Sequence, residues 1–167
     1  MDAKQTAPVY PTTPEGSVYP DRRVWKIDEL EFTPFNRYGS DVTKLFWAPL
    51  TFDRSTGKGC FFIRFLPGGT STPHEHFGVE EFYVIEGTVI DHDGVAYRAG
   101  HFVSIGPGKK HFSHSPGGAL IVAWLTDNNR VLEAGEALSF GEPKGWALST
   151  PHFKKADSPA ALRTPGA

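Results

Sequence analysis

The chain has 167 residues and a formal net charge of −2, a length that suits one domain and leaves little room for two. Hydrophobic residues make up 39% and charged residues 22%, an ordinary globular balance. It contains no lysine or arginine cluster of the kind that engages nucleic acid or a membrane surface, and no apolar run near the ~20 residues of a membrane-spanning helix.

In chain order, residues 1–21 read as an extended arm, polar and rich in proline and threonine, without the apolar stretch of a secretory signal. A cytoplasmic location is the expectation. From there to about residue 140 the pattern is short β-runs broken by turn residues. Val24–Ile27, Leu45–Ala48 and Cys60–Leu66 are the first three, the last after the turn Ser55-Thr56-Gly57-Lys58-Gly59. Glu81–Ile90 is the longest run, with Gly87 marking a bulge or turn inside it. Asp93-Gly94 is a hairpin signal leading into Val95–Arg98. Phe102–Ile105, His111–Ser113 and Ala119–Leu125 complete the set. Asn129–Leu138 is the only stretch with helical potential, short and interrupted by Gly135. Residues 141–167 form a C-terminal extension rich in Pro, Ala, Ser and Lys, with Trp146, Leu148 and Phe153 as candidates to dock. The 18 glycines and 14 prolines support frequent turns. The reading is all-β, an antiparallel sandwich or barrel over residues 22–140, the jelly roll included.

Cys60 is the only cysteine, which excludes an internal disulfide framework and a thiolate metal cage; it reads as a small buried hydrophobe. Metal chemistry falls to the histidines. His74 and His76 alternate, so on an extended strand both point to one face. Glu80 shares their parity and Glu81 does not; Glu80 is preferred unless a bulge intervenes. Gly106-Pro107-Gly108 makes a turn that delivers His111 at the start of another strand. Three imidazoles and one carboxylate suit a borderline divalent ion. His114 falls on the face opposite His111, and His92, His101 and His152 read as surface residues. Arg64 either orients an anionic substrate or forms a structural ion pair. Phe62, Phe82, Tyr83, Phe102, Phe112 and Trp124 are candidates to line an apolar pocket, with plain core packing as the alternative.

The spacing Gly68, five residues, His74-Glu75-His76, three residues, Glu80, six residues, Gly87 resembles the first motif of the cupin family. Gly100, five residues, Gly106-Pro107-Gly108, two residues, His111, three residues, Ser115 resembles the second. Gly106 stands where the family has a proline, and Ser115 where it has an asparagine; neither position is a metal ligand in the family. Phe32-Thr33-Pro34, Lys44-Leu45, Arg64–Gly68 and Val84–Gly87 extend the resemblance to cupins similar to the metal-binding domain of ChrR-type anti-sigma factors, over roughly Trp25 to Leu125.

The resemblance implies a cupin jelly-roll β-barrel, or double-stranded β-helix. It implies one divalent ion held by His74, His76, Glu80 and His111, with Fe²⁺ favoured over Zn²⁺, Mn²⁺ and Ni²⁺. Cupins with this ligand set are frequently dioxygenases, which implies a small-molecule substrate, with Glu80 bound to the ion or swung off as a general base. A homodimer is also the family expectation. The expected substrate pocket is drawn from Arg64, Phe62, Phe82, Phe102 and Trp124. The competing readings are a non-catalytic metal-binding or sensing module and, less compatible with an intact ligand set, a metal-free sugar epimerase. One fold hosts all three.

Overall fold

The computed structural model describes residues 18–141 apart from 20 and 40. Nearly all of the expected arm, and the extension beyond residue 141 with Trp146, Leu148, His152 and Phe153, lie outside the described residues.

Among the described residues twelve strands follow in order: β1 (Thr33–Pro34), β2 (Leu45–Pro49), β3 (Gly59–Phe65), β4 (Gly69–Thr70), β5 (His74–His76), β6 (Glu80–Asp91), β7 (Ala96–Arg98), β8 (Phe102–Ile105), β9 (Lys110–His111), β10 (Ser113–Ser115), β11 (Ala119–Leu125) and β12 (Asn129–Val131). Among the described residues the only helical pieces are two single 3₁₀ turns, Ile27–Glu29 and Ala134–Glu136, and no helix is long and apolar enough to cross a membrane. All strand pairings are antiparallel. The larger sheet runs β1-β2-β3-β11-β6-β10-β4, with β7 and β8 also on β6, and a smaller one runs β12-β5-β9. The sheets curl into the jelly-roll expected of a cupin.

Two expectations change. Val24–Ile27 forms no strand, and its end enters the first 3₁₀ turn. The helix expected over Asn129–Leu138 is instead β12 followed by the second 3₁₀ turn. Backbone pairing of Asn129–Val131 with β5 outweighs the weak local helical preference of that segment.

The core lies between the curled faces. Alternate residues of each strand enter it: Leu45 and Trp47 from β2, Phe61, Ile63 and Phe65 from β3, Phe82 and Val84 from β6, Ile121, Ala123 and Leu125 from β11. Phe35, Trp47, Phe61 and Phe52 meet edge to face, with ring centroids 5.1–5.8 Å apart, the arrangement that suits the ring quadrupoles. On the other face of the same sheet, Ala48, Phe62 and Leu120 form a second cluster, roofed by Leu30 and Phe32.

β6 is the spine. Its first half pairs with β11 and β8, its second with β7 and β10. Between them Leu120 opposes Glu86 while Ile121 opposes Val84, so Ile85 is an extra residue in the ladder, and Gly87 follows with φ +75°. The bulge reverses the alternation. Residues 80, 82 and 84 face inward before it, and residues 89 and 91 after it. Glu80 and Asp91, of opposite parity, therefore both reach the interior.

Gly87 permits this bend, since a Cβ there would sit 2.1 Å from the Gly118 carbonyl oxygen on a backbone that L-residues disfavour. Gly87→Ala is expected to cost about 2–4 kcal/mol in urea unfolding, from the left-handed conformation and the overpacking together. Gly106→Ala, where an added Cβ has nothing within 4 Å, is expected to change stability by under about 0.5 kcal/mol.

Candidate metal centre

β5 supplies two of the ligands. His74 and His76 face inward and Glu75 outward, where it pairs with Arg130 at 2.5 Å. β9 lies antiparallel on β5 with His111 directly opposite His74. The turn before it is held in register by the strand it serves: the Gly108 N–H donates to the His76 carbonyl (2.7 Å) and the His76 N–H to the Lys109 carbonyl (3.0 Å). Glu80 enters from the first position of β6, and Glu81 points away, half-buried, in line with the parity argument.

The four ligand atoms lie within 4.8 Å of one another, and all four residues are buried. The Nε2 atoms of His76 and His111 are 2.8 Å apart, and those of His111 and His74 3.2 Å. Glu80 Oε2 is 3.1 Å from His76 Nε2 and 3.3 Å from His111 Nε2, yet it has no hydrogen bond of acceptable geometry. A buried carboxylate oxygen left unbonded and surrounded by imidazole nitrogens is an environment that suits a cation. Three nitrogens and one oxygen fit a borderline divalent transition metal.

The outer ring nitrogens are fixed. His74 Nδ1 donates to the Thr72 carbonyl (2.7 Å). His111 Nδ1 donates to Asp91, 3.1 and 3.3 Å from its two carboxylate oxygens. Each bond places a proton on Nδ1 and leaves Nε2 for the centre. Asp91 is itself held by the His92 N–H at 3.0 Å and the Ser113 hydroxyl at 3.4 Å. One end of the Asn129 amide lies 3.3 Å from His76 Nδ1.

Burial pushes His74 down to about 3, so its ring is neutral. Burial also works to raise the Glu80 carboxyl, but the nearby His111 and His76 outweigh it and hold Glu80 well below the usual carboxylate range. Burial would lower His111, yet its hydrogen bond to Asp91 and the nearby Glu80 carboxylate push it up to about 10. In the absence of an ion, a proton on His111 is thus the charge that balances two buried carboxylates.

The centre opens on a cavity of about 40 Å³, room for a few water-sized groups. Its walls are mainly Phe35, Phe61, Phe65, Phe82, Val89 and Ile121, with Arg37, Tyr38, Ser113 and Asn129 as polar members. Of the pocket residues expected from the sequence, Phe82 lines it. Phe62, Arg64, Phe102 and Trp124 do not, because each falls on the outer face of its strand. Phe62 packs under Leu30 and Phe32, Arg64 lies over the Phe32 ring at 4.8 Å, and Phe102 and Trp124 are 59% and 39% exposed. Tyr83 is also on the outside, and Phe112 meets Phe140 edge to face. His114 packs against Phe140 as well, and His92 against Phe112. Cys60 is half-buried, and burial raises its thiol to about 11. Arg37, Tyr38, Asp91 and Asn129 carried no sequence signal beyond residue type.

Asp91→Asn keeps the shape at His111 and removes the charge. It is expected to weaken binding of a divalent ion by roughly ten- to a hundredfold in competition with a chelator, with the fold retained by circular dichroism.

The sequence profile of the ChrR cupin-like domain matches residues 20–126. No functionally curated sequence matches the chain. Among solved structures, an acetylacetone dioxygenase from Acinetobacter johnsonii superposes with a TM-score of 0.59 at 16% identity, over 76% of this chain and 89% of that one. A putative acetylacetone dioxygenase from Methylibium petroleiphilum PM1 gives 0.60 at 12% identity, over 73% and 88%. The polyketide cyclase RemF from Streptomyces resistomycificus gives 0.55 at 18% identity, over 69% and 88%. At these identities the likeness is one of fold. The profile match spans well over half the chain, and together with the fold it shows that this protein belongs to the ChrR cupin-like family.

Proposed function

We propose that this protein is a metal-dependent enzyme acting on a small organic molecule, an oxygenase with an iron ion held by His74, His76, Glu80 and His111. The observation that carries this reading is the unbonded Glu80 Oε2 among three converging Nε2 atoms at the end of an apolar cavity. The names of two structures of the same fold, acetylacetone dioxygenases, support a dicarbonyl compound as the first substrate to try.

An ion held there would supply Lewis-acid activation of a substrate oxygen and the redox chemistry of dioxygen. The chain does the rest. His74, His76 and His111 are oriented by Thr72, Asn129 and Asp91, so the donor set is organised before substrate arrives. The phenyl-rich wall excludes water and strengthens the electrostatics inside. Glu80 is buried and ionised, placed either to hold the ion or to accept a substrate proton at Oε2. We further propose a soluble, cytoplasmic homodimer.

The second reading, a non-catalytic metal-binding or sensing module, draws support from the ChrR family match and the small free volume of the cavity. Coordination separates the two. A tetrahedral zinc ion with no open position is structural, and an ion with exchangeable positions is not.

Protein stripped of metal and reloaded with Fe²⁺ is expected to consume O₂ with acetylacetone, measured at an oxygen electrode. Glu80→Gln is expected to lower turnover by about a hundredfold or more, and His74→Ala to abolish it with loss of bound iron. Absence of O₂ uptake across diketones, flavonols and phenolic acids, with tetrahedral zinc retained on purification, would overturn the oxygenase reading.

A further inference from the structure

Arg37 is the only lysine or arginine that lines the cavity among the described residues. Its partners are all neutral. The guanidinium lies 5.3 Å from the Tyr38 ring and 5.1 Å from the Phe52 ring. Nη1 is 3.4 Å from the Tyr38 hydroxyl and Nη2 3.2 Å from Asn128 Oδ1. No carboxylate of the described residues forms an ion pair with it. Arg130, on the surface, has two, from Glu75 and Glu136. A half-buried guanidinium beside a water-poor cavity is held there at a cost unless an anion joins it.

The Asn129 amide links this cation to the metal centre. One end faces His76 Nδ1 at 3.3 Å, and the other lies 3.0 Å from Arg37 Nη1 and 3.2 Å from His74 Nε2. The end facing His76 also lies 3.0 Å from the Asn128 carbonyl oxygen, which calls for the NH₂ there, and the amide oxygen then accepts from Arg37 Nη1. Every partner of the guanidinium is neutral, and its charge has no counterion among the described residues. Through the amide, Arg37 Nη1 is two hydrogen-bond lengths from a ligand nitrogen of the centre. With a divalent ion bound, Glu80 and Asp91 offset its charge and Arg37 leaves one positive charge in excess.

We propose that the Arg37 guanidinium forms an oxyanion subsite beside the ion, which takes one anionic oxygen of a compact dicarbonyl substrate, an enolate or a carboxylate. The proposal rests on the metal-centre reading above and adds the charge class of the substrate. One ligand oxygen accepts from the guanidinium and brings the negative charge that its neutral partners lack. A neutral ketone of the same size gains neither the charge pairing nor the full strength of these bonds. The limited free volume and phenyl walls restrict the occupant to a short chain.

The test is anion binding without turnover, which separates it from the oxygenase reading. Protein loaded with Co²⁺ under argon is titrated with acetoacetate, with acetylacetone and with neutral 2-pentanone, followed by the cobalt absorption bands and by calorimetry. Wild-type protein is expected to bind the two acidic probes and to bind 2-pentanone far more weakly. Arg37→Gln is expected to weaken the acidic probes by roughly ten- to a hundredfold, with cobalt stoichiometry unchanged and 2-pentanone unaffected. Arg37→Lys is expected to recover part of the loss, and it carries the test should Arg37→Gln fail to fold. Equal binding of the acidic probes by wild type and both variants overturns the proposal, as does loss of 2-pentanone binding in parallel or failure of wild type to bind either acid. Anion binding without O₂ uptake by the iron form overturns the oxygenase reading and leaves the subsite standing. Failure to bind cobalt overturns both.

Discussion

Two buried carboxylates face one histidine. Glu80 and Asp91 sit on either side of His111, on opposite ends of the same strand, and neither reaches solvent to any useful degree. Such an arrangement survives only if positive charge is kept between them. Without an ion that charge is a proton on His111; with one, the proton leaves and the imidazole becomes a neutral donor. The choice of ligands, their fixed ring orientations and the sign of the cavity's charge all follow from that requirement.

The strand that brings the two acids together does so by breaking its own alternation. The extra residue at Ile85 and the left-handed Gly87 let β6 contribute Glu80 from one parity and Asp91 from the other. They also let one continuous strand serve both halves of the barrel, pairing first with β11 and then with β10. A regular strand of the same length would point Asp91 at water and leave His111 free to turn.

What could be read from the sequence, and what could not, divides along the range of the interactions involved. His74, His76, Glu80 and His111 stand in local patterns, alternation on a strand and a glycine turn before a strand, and a pattern of that kind survives folding. The preference for Glu80 over Glu81 was a parity argument across a short loop and agrees with the placement of both side chains. Asp91 lies just past the Glu81–Ile90 run, and although Gly87 marked a bulge or turn there, nothing local showed that an extra residue six positions before Asp91 turns it inward. Arg37 and Asn129 reach the centre from chain segments 91 residues or so apart, as the Arg37–Asn128 bond shows, and residue type alone does not mark them. Phe62, Phe102 and Trp124 misled by their size. Phe61-Phe62-Ile63 is apolar on both faces because Leu30 and Phe32 cover the outside, so bulk did not distinguish pocket from exterior.

The small sheet β12-β5-β9 carries three of the four ligands and no part of the hydrophobic core to hold it. Its eight residues are three histidines, a glutamate, a lysine, an asparagine, an arginine and Val131, and none belongs to either hydrophobic cluster. A sheet this short is not stable by its backbone bonds alone. Its ligand side chains, clamped to Glu80 on the main sheet, would make the ion a rivet between two parts of the wall that share little oil. Metal loss would therefore loosen this panel ahead of the phenyl-rich interior, and the same few residues that prepare the chemistry would also decide whether the mouth of the cup keeps its outline.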